Sequence, residues 1–328
     1  MACKIRNQTN GSPPVFWDNG LSYFAAVMTR APVLVVAGPT ASGKTALAVK
    51  LARHFGTELV SADSRQIYRE LRIGVSRPTD NELQQVHHHF IATHSIHEPF
   101  TAGDFQREAR LVVSDLINRF GCAVVCGGTG LYLRALLHGF DSMPDVAAQV
   151  REGVQRDYCE NGLAWLQERV REVDPVYFEV VDKANPQRLM RALEVYRSSG
   201  LPLSTYHKKG NDHFPAEAIS VGIDWPRAEL YQRIDARVHQ MVADGLIAEA
   251  EALFEYRQRP ALQTVGYQEL FAWMEGRLSK ENAIALIGQN TRQYAKRQLT
   301  WLRRYGSVHW FAPDRQPEII PFLEGKSS

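Results

Sequence analysis

An apolar run, Val33-Leu34-Val35-Val36-Ala37, opens directly into GPTASGKT at residues 38–45, and no other junction in the chain limits the fold as much. Gly38 and Gly43 allow backbone amides to turn inward around phosphate oxygens. Lys44 supplies a point charge, Thr45 a hydroxyl suited to Mg²⁺, and the following helix adds its N-terminal dipole. Average residue usage would produce GxxxxGK[ST] by chance in roughly one chain in a hundred of this length. Leu47, Leu51 and Phe55 then recur at helical spacing, with Ala48 and Ala52 beside them and Gly56 as the stop. The motif specifies a phosphate-sized anion and a metal. It leaves open whether the phosphate belongs to a nucleotide or to another substrate.

The rhythm continues downstream. Glu58-Leu59-Val60-Ser61 reads as a strand delivering Asp63, and helical periodicity over 104–120 precedes an apolar strand at 123–126. That strand ends in Gly127-Gly128-Thr129-Gly130 before a helix over 131–137, and further strands read at 219–223 and 308–311. Alternating strands and helices predict an α/β fold, a P-loop NTPase-like parallel sheet flanked by helices. Residues 141–204 offer helical segments and no strand, so they read as a helical insertion domain between 30–140 and 205–328. Its last helix is punctuated by Asn185 as N-cap, Pro186 at the first position, and Gly200 and Pro202 at the exit.

Composition narrows the class. With 328 residues the chain needs no covalent staples, and its apolar (45%) and charged (23%) shares are those of an ordinary soluble protein. A formal charge of +2 excludes a globally basic nucleic-acid binder, so any basic surface is local. The four cysteines form no CxxC pair and read as reduced cytosolic thiols. No apolar run reaches the ~20 residues of a membrane-spanning helix. Residues 1–29, with Asn10-Gly11-Ser12-Pro13-Pro14 breaking the pattern, read as a disordered leader, and Met28 stands as an alternative start.

Several residues carry chemistry. Asp63, nineteen residues after Lys44, can bind metal, act as a general base, or cap the next helix. His87, His88 and His89 cannot all point one way on a helix or strand, so a solvated or core-lining segment outweighs a metal site. After Pro226, Leu230, Ile234, Val238 and Met241 form one stripe with Arg237 at its edge and Arg233 beside it. An arginine facing a buried surface needs an anion, either a structural carboxylate or a substrate phosphate. Residues 290–304 hold five basic side chains and no acidic one, with Tyr294 and Trp301 interspersed, a pattern suited to a polyanion.

In this order the pieces resemble the tRNA dimethylallyltransferases, also called tRNA isopentenyltransferases. The matching stretches are GPTASGKT, DSRQIY (63–68), HHHFI (87–91), VVCGGTGLYLRALLHG (124–139), NPQRLMRALEVYRSSGLP (185–202), RIDARVHQM (233–241), TVGYQEL (264–270) and TRQYAKRQLTWLRR (291–304). They span nearly everything from Pro32 to Phe311. The resemblance implies transfer of a dimethylallyl group from dimethylallyl diphosphate to N6 of an adenine beside the tRNA anticodon, with diphosphate released. It implies Asp63 as general base, Thr40 and Lys44 as stabilisers of the leaving diphosphate, and Thr45 as the Mg²⁺ ligand. The diphosphate cradle would comprise Gly38, Pro39, Thr40, Ala41, Ser42, Gly43, Lys44 and Thr45, clamped by Arg233 or Arg237. Contacts to tRNA would come from Asp63, Ser64, Arg65 and Gln66; from Thr129 and Arg151; from Gln187, Arg188, Leu189, Met190 and Arg191; and from Gln263, Thr264, Val265, Gly266, Tyr267 and Gln268. The insertion would grip the anticodon stem-loop.

The chain is expected to be a cytoplasmic monomer without membrane contact. Ile73-Gly74-Val75-Ser76-Arg77-Pro78 departs from the family's usual IGTAKP, replacing a threonine and a lysine. A small-molecule P-loop kinase would account for the phosphate loop and Asp63 but not for the basic helix, GGTGLY or the insertion. A prenyltransferase acting on free adenine nucleotide is the other competitor, and a non-catalytic RNA-binding module would leave Asp63 and the phosphate loop without a role.

Overall fold

In the computed structural model, residues 32–140, 143–207 and 214–325 are described. The leader expected over 1–29 lies outside them. The chain divides into two compact units, Met1–Leu133 with Pro215–Ser328, and Arg134–Phe214. The second is wider at both ends than the 141–204 expected from sequence.

The first unit is built on a parallel six-stranded sheet. Its strands are β1 (Val33–Ala37), β2 (Leu59–Ser61), β3 (His88–His89), β4 (Ala123–Gly127), β5 (Ala218–Ile223) and β6 (Val308–Phe311), in spatial order β3-β2-β4-β1-β5-β6. Every residue of β1, β2 and β4 is buried. Such strands carry continuous apolar runs because both faces of a parallel sheet are covered. In register, Ala37 lies opposite Gly127 and Ser61 opposite Cys126, so the loops leaving β1, β2 and β4 emerge along one edge.

Helix α1 (Lys44–His54) follows the phosphate loop and buries Leu47, Ala48 and Leu51 against Leu34, Val36 and Val124. Helix α2 (Asp80–Gln85) and helix α3 (Ala102–Phe120) both begin with a threonine capping box, from Thr79 and Thr101. Helix α4 (Gly130–His138) starts at the glycine turn beyond β4, and the boundary between the units falls within it.

The second unit is helical in its described residues. Helix α5 (Ala148–Val173) breaks its helical backbone at Gly162, and α6 (Pro175–Val180) and α7 (Pro186–Ser199) follow. Asn185 caps α7 through its side chain, Pro186 opens it, and Gly200 closes it in a left-handed conformation, as the sequence indicated. Val154, Leu166, Val170, Leu189 and Leu193 form the centre of its core.

The chain then returns to the first unit through β5, α8 (Arg227–Ala243), α9 (Leu246–Leu253), α10 (Tyr267–Met274) and α11 (Lys280–Tyr305), before β6 and a short α12 (Ile319–Leu323). On α8 the expected stripe holds, with Leu230, Ile234 and Val238 buried. No described helix is long and apolar enough to cross a membrane. Cys122, Cys126 and Cys159 are free thiols.

Asp174 is the polar keystone of the helical unit. It is 1% exposed, accepts from the Tyr177 amide at 3.0 Å to cap α6, and takes both the amide (2.8 Å) and the hydroxyl (2.6 Å) of Ser204. Replacing Asp174 with alanine strands these donors in the interior. The expected cost is about 2–3 kcal/mol, read as a lower denaturation midpoint of the full chain; an unchanged midpoint would contradict the assignment.

Candidate active site

The loops leaving β1 and β2, joined by side chains from α8 and α11, surround a cavity of ≈ 570 Å³ in the first unit. That is the size of a small-molecule site. Thr40, Ala41, Gly43, Lys44 and Thr45 line one wall. Asp63, Ser64, Arg65 and Gln66 line another, and Gln263, Thr264, Val265, Gly266 and Gln268 reach the same space from the loop before α10. Two groups of residues far apart in the sequence are therefore brought together.

The cationic end is uncompensated. Among the described residues neither Lys44 nor Arg237 makes an ion pair with a carboxylate. Lys44 Nζ donates instead to the Pro39 carbonyl at 3.3 Å, and Arg237 reaches the Thr40 hydroxyl at 3.3 Å. Burial lowers the pKa of Lys44, against the opposing pull of Asp63. Burial and the neighbouring Arg233 cation lower that of Arg237. Two desolvated cations with no carboxylate in direct contact favour the entry of an anion. Of the two partners weighed for Arg237 from sequence, a structural carboxylate is absent among the described residues. Arg233 differs: it donates to the Ala41 carbonyl at 2.9 Å, lies 4.2 Å over the Trp225 ring, and does not line the cavity.

Asp63 caps the turn that follows it. Its Oδ1 accepts from the amides of Arg65 (2.9 Å) and Gln66 (3.3 Å). Both bonds fall on one oxygen, and the residue still lines the cavity, so capping and chemistry coexist. The Ser64 amide donates to the Thr129 hydroxyl at 3.2 Å, joining the β2 and β4 loops. Arg65 directs its guanidinium to the carbonyls of Pro260, Ala261 and Gln263. Gln268 donates to Gln263 at 2.7 Å. Tyr267 and Leu189 are 0% exposed and Met190 is 8%, so these three side chains face the interior. Gln187, Arg188 and Arg151 lie on the surface of the helical unit, and Arg191 sits 3.6 Å from Glu194.

The residue that sequence reasoning missed is Gln298. It is 7% exposed on α11, accepts from the Thr40 amide at 2.9 Å, and donates to the Gly128 carbonyl at 2.9 Å. It locks the phosphate loop to the glycine turn. The signal was present: Gln298 falls on the apolar stripe of Ile287, Ala295 and Leu302, where an uncharged polar residue needs a buried partner. Of the five basic side chains of this helix, Arg292 pairs with Asp235 and Arg303 with Asp224, Arg297 lines the cavity, and Lys296 and Arg304 are exposed.

The histidines divide as strand alternation requires. His88 is buried with Nδ1 2.8 Å from the Val86 carbonyl, while His87 and His89 lie on the other side. Glu58, His87 and His89 have ligand atoms within 4.8 Å of one another, but the Glu58 carboxylate is already 2.7 Å from Arg119. Arg77, which replaces the family lysine, points its guanidinium at the carbonyls of Tyr68, Arg69 and Leu71 and is not part of the cavity wall.

A family model described as IPP transferase matches residues 66–305. A tRNA dimethylallyltransferase from Cytophaga hutchinsonii is 45% identical over 294 residues, covering 90% of this chain and 97% of that protein. The crystal structure of the full-length tRNA isopentenylpyrophosphate transferase from Bacillus halodurans aligns with TM-score 0.67 at 32% identity, covering 90% and 97% of the two chains. A eukaryotic dimethylallyltransferase solved acting on tRNA shares the fold, with TM-score 0.75 at 22% identity over 90% of this chain and 80% of that one.

Substituting Gln298 by leucine keeps the volume but leaves the Thr40 amide and Gly128 carbonyl unsatisfied. Affinity for inorganic diphosphate should fall about tenfold, or ~1.4 kcal/mol, by calorimetry on folded protein. Wild-type affinity in that variant would remove Gln298 from the loop's support.

Proposed function

The chain belongs to the IPP transferase family, and we propose that it transfers a dimethylallyl group from dimethylallyl diphosphate to N6 of the adenine 3′-adjacent to the anticodon in tRNA, releasing diphosphate. The observation that carries this reading is one cavity lined by two buried cations without a contact carboxylate, by the Asp63 carboxylate, and by apolar side chains. Lys44, Arg237 and the loop amides face where a diphosphate gathers charge. Val238, Met241, Val265 and Ile287 offer an apolar lining for a hydrocarbon chain. Family membership does not favour the kinase or the free-nucleotide acceptor.

The bond changes follow from this arrangement. Adenine N6 attacks C1 of the allyl group, the C1–O bond breaks, and the electron pair leaves with diphosphate. Thr40 and Lys44 stabilise the departing oxygens. The N6 proton goes to Asp63, whose Oδ1 is occupied by two amides, so Oδ2 is the acceptor. N6 is inaccessible in a stacked loop, so the base is extruded into the cavity and read by its edge.

The residues present fit Mg²⁺: the Thr45 hydroxyl and the Glu82 carboxylate line the same cavity and are hard oxygen donors. Thr45 would hold the ion with the substrate's diphosphate, and the ion supplies neutralisation of leaving-group charge. Arg151, Gln187 and Arg188 give the helical unit a polar surface suited to the anticodon stem, and Lys296 and Arg297 give the first unit two cations suited to phosphates.

Incubation with labelled dimethylallyl diphosphate and Mg²⁺ should place label in unmodified tRNA; label reaching only adenine nucleotide would overturn the acceptor. Asp63→Asn keeps an Oδ1 for both amides but cannot take a proton. Its kcat should fall by about 10²–10⁴ while tRNA affinity, measured by filter binding, stays near wild type. Turnover close to wild type would refute the base. Neutralising Lys296 and Arg297 together should shallow the salt dependence of tRNA binding by roughly one to two in log–log slope; an identical slope would return both residues to the solvated surface.

A further inference from the structure

Glu249 is a candidate for no role by sequence pattern, since an acidic residue on an amphipathic helix is ordinarily a solvated one. In the structure its carboxylate turns into the molecule. Oε2 accepts from the Ile73 amide at 2.8 Å and the Arg72 amide at 3.1 Å, and Oε1 accepts from the Gly74 amide at 2.9 Å. Oε1 also accepts a short hydrogen bond from the hydroxyl of Tyr267, whose side chain is wholly buried. Burial, with the Glu249 charge beside it, raises the pKa of that phenol, so it remains a donor. Three consecutive amides converging on one carboxylate form an anion nest closed by a protein side chain.

The connection joins two adjoining parts of the cavity wall: Gly74, Val75 and Ser76 line it, and so do Thr264, Val265 and Gly266, the residues just before Tyr267. The first loop has its remaining polar groups fixed too. Gln66 donates to the carbonyls of Val75 (3.2 Å) and Ser76 (2.9 Å), and the Ser76 hydroxyl lies 3.6 Å from the Met241 sulfur. Ser76 is held at φ 47, a left-handed backbone that a non-glycine residue keeps only when its surroundings impose it. The second loop is fixed by Glu269, which takes the Gly266 amide at 2.8 Å and is itself held by Asn290 at 2.6 Å. At the junction, a Cβ on Gly74 would come within 2.5 Å of the Tyr267 ring, so the two loops meet only because position 74 lacks a side chain.

We propose that Glu249, with Tyr267, is a positioning residue for prenyl transfer, setting the spacing between the 73–76 and 264–266 walls and so the seat of the prenyl diphosphate. The proposal rests on the function argued above. Glu249 touches no reacting atom; it acts through the loop backbone it holds.

The test measures steady-state kinetics and amide hydrogen exchange on the full chain carrying Glu249→Ala, Glu249→Gln or Tyr267→Phe, alongside the wild type. Glu249→Ala should lose exchange protection at Ile73 and Gly74 and raise KM for dimethylallyl diphosphate on the order of tenfold, with a smaller change in kcat. Glu249→Gln keeps the shape and one acceptor and should recover part of both effects. Tyr267→Phe should leave Ile73 and Gly74 protected yet raise KM. Loss of protection in Glu249→Ala with unchanged KM would overturn the positioning role. Equal losses in KM and kcat that track only a falling thermal midpoint in all three variants would overturn it in favour of a purely structural contact. A wild-type chain that transfers no prenyl group fails the functional reading instead, and the exchange data are then read separately.

Discussion

The parallel placement of β1 between β4 and β5 is the constraint on which the active cavity depends. Parallel strands deliver their carboxyl ends to one edge, so the phosphate loop after β1, Asp63 after β2 and the glycine turn after β4 arrive together without any dedicated scaffold. These strands are buried on both faces, so their register is held by close packing against the covering helices. What remains is fine alignment between loops, and buried polar side chains supply it. Gln298 joins the first loop to the third, Thr129 joins the second to the third, and Glu249 joins two later ones. Each such side chain is satisfied at both ends, the condition under which a buried polar link stiffens a site instead of weakening it.

The electrostatics of the cavity follow the same economy. Several arginines of this unit are engaged internally, by carboxylates, as with Arg292 and Arg303, or by carbonyl dipoles, as with Arg65 and Arg77. Lys44 and Arg237 line the cavity beside the phosphate loop without a carboxylate in contact. A desolvated cation without a partner raises the affinity for an entering anion, because the anion relieves a cost already present in the empty site. With other arginines engaged elsewhere, Lys44 and Arg237 concentrate positive field beside the phosphate loop.

Much of this was legible in the sequence where the signal is local. The β1–loop–α1 unit is a continuous apolar run, a glycine-bracketed turn and an amphipathic stripe, all within one stretch of chain. Asn185, Pro186 and Gly200 fix α7 because caps act over three or four residues. The illegible parts are those set by distant partners. Arg292 finds Asp235 across 57 residues, and Thr40 finds Gln298 across 258. Nothing in either neighbourhood announces the other. The two-residue strand β3 was also hidden, since its histidines carry no apolar alternation and its pairing with β2 is decided by the sheet edge. The start of the second unit went unseen for a related reason: α4 runs unbroken through Leu133 and Arg134, so helical periodicity shows no seam there.

Gln298 also makes the reading frame of α11 a mechanical constraint. Each residue inserted into a helix rotates everything beyond it by about 100°, so a single added residue between Ala295 and Gln298 would carry the amide away from Thr40 and turn a basic neighbour toward the phosphate loop. Lengthening the same helix beyond Leu302 would leave that alignment untouched. The helix thus behaves as a key cut along one side, free to vary in length at its far end but indexed, residue by residue, where it enters the lock.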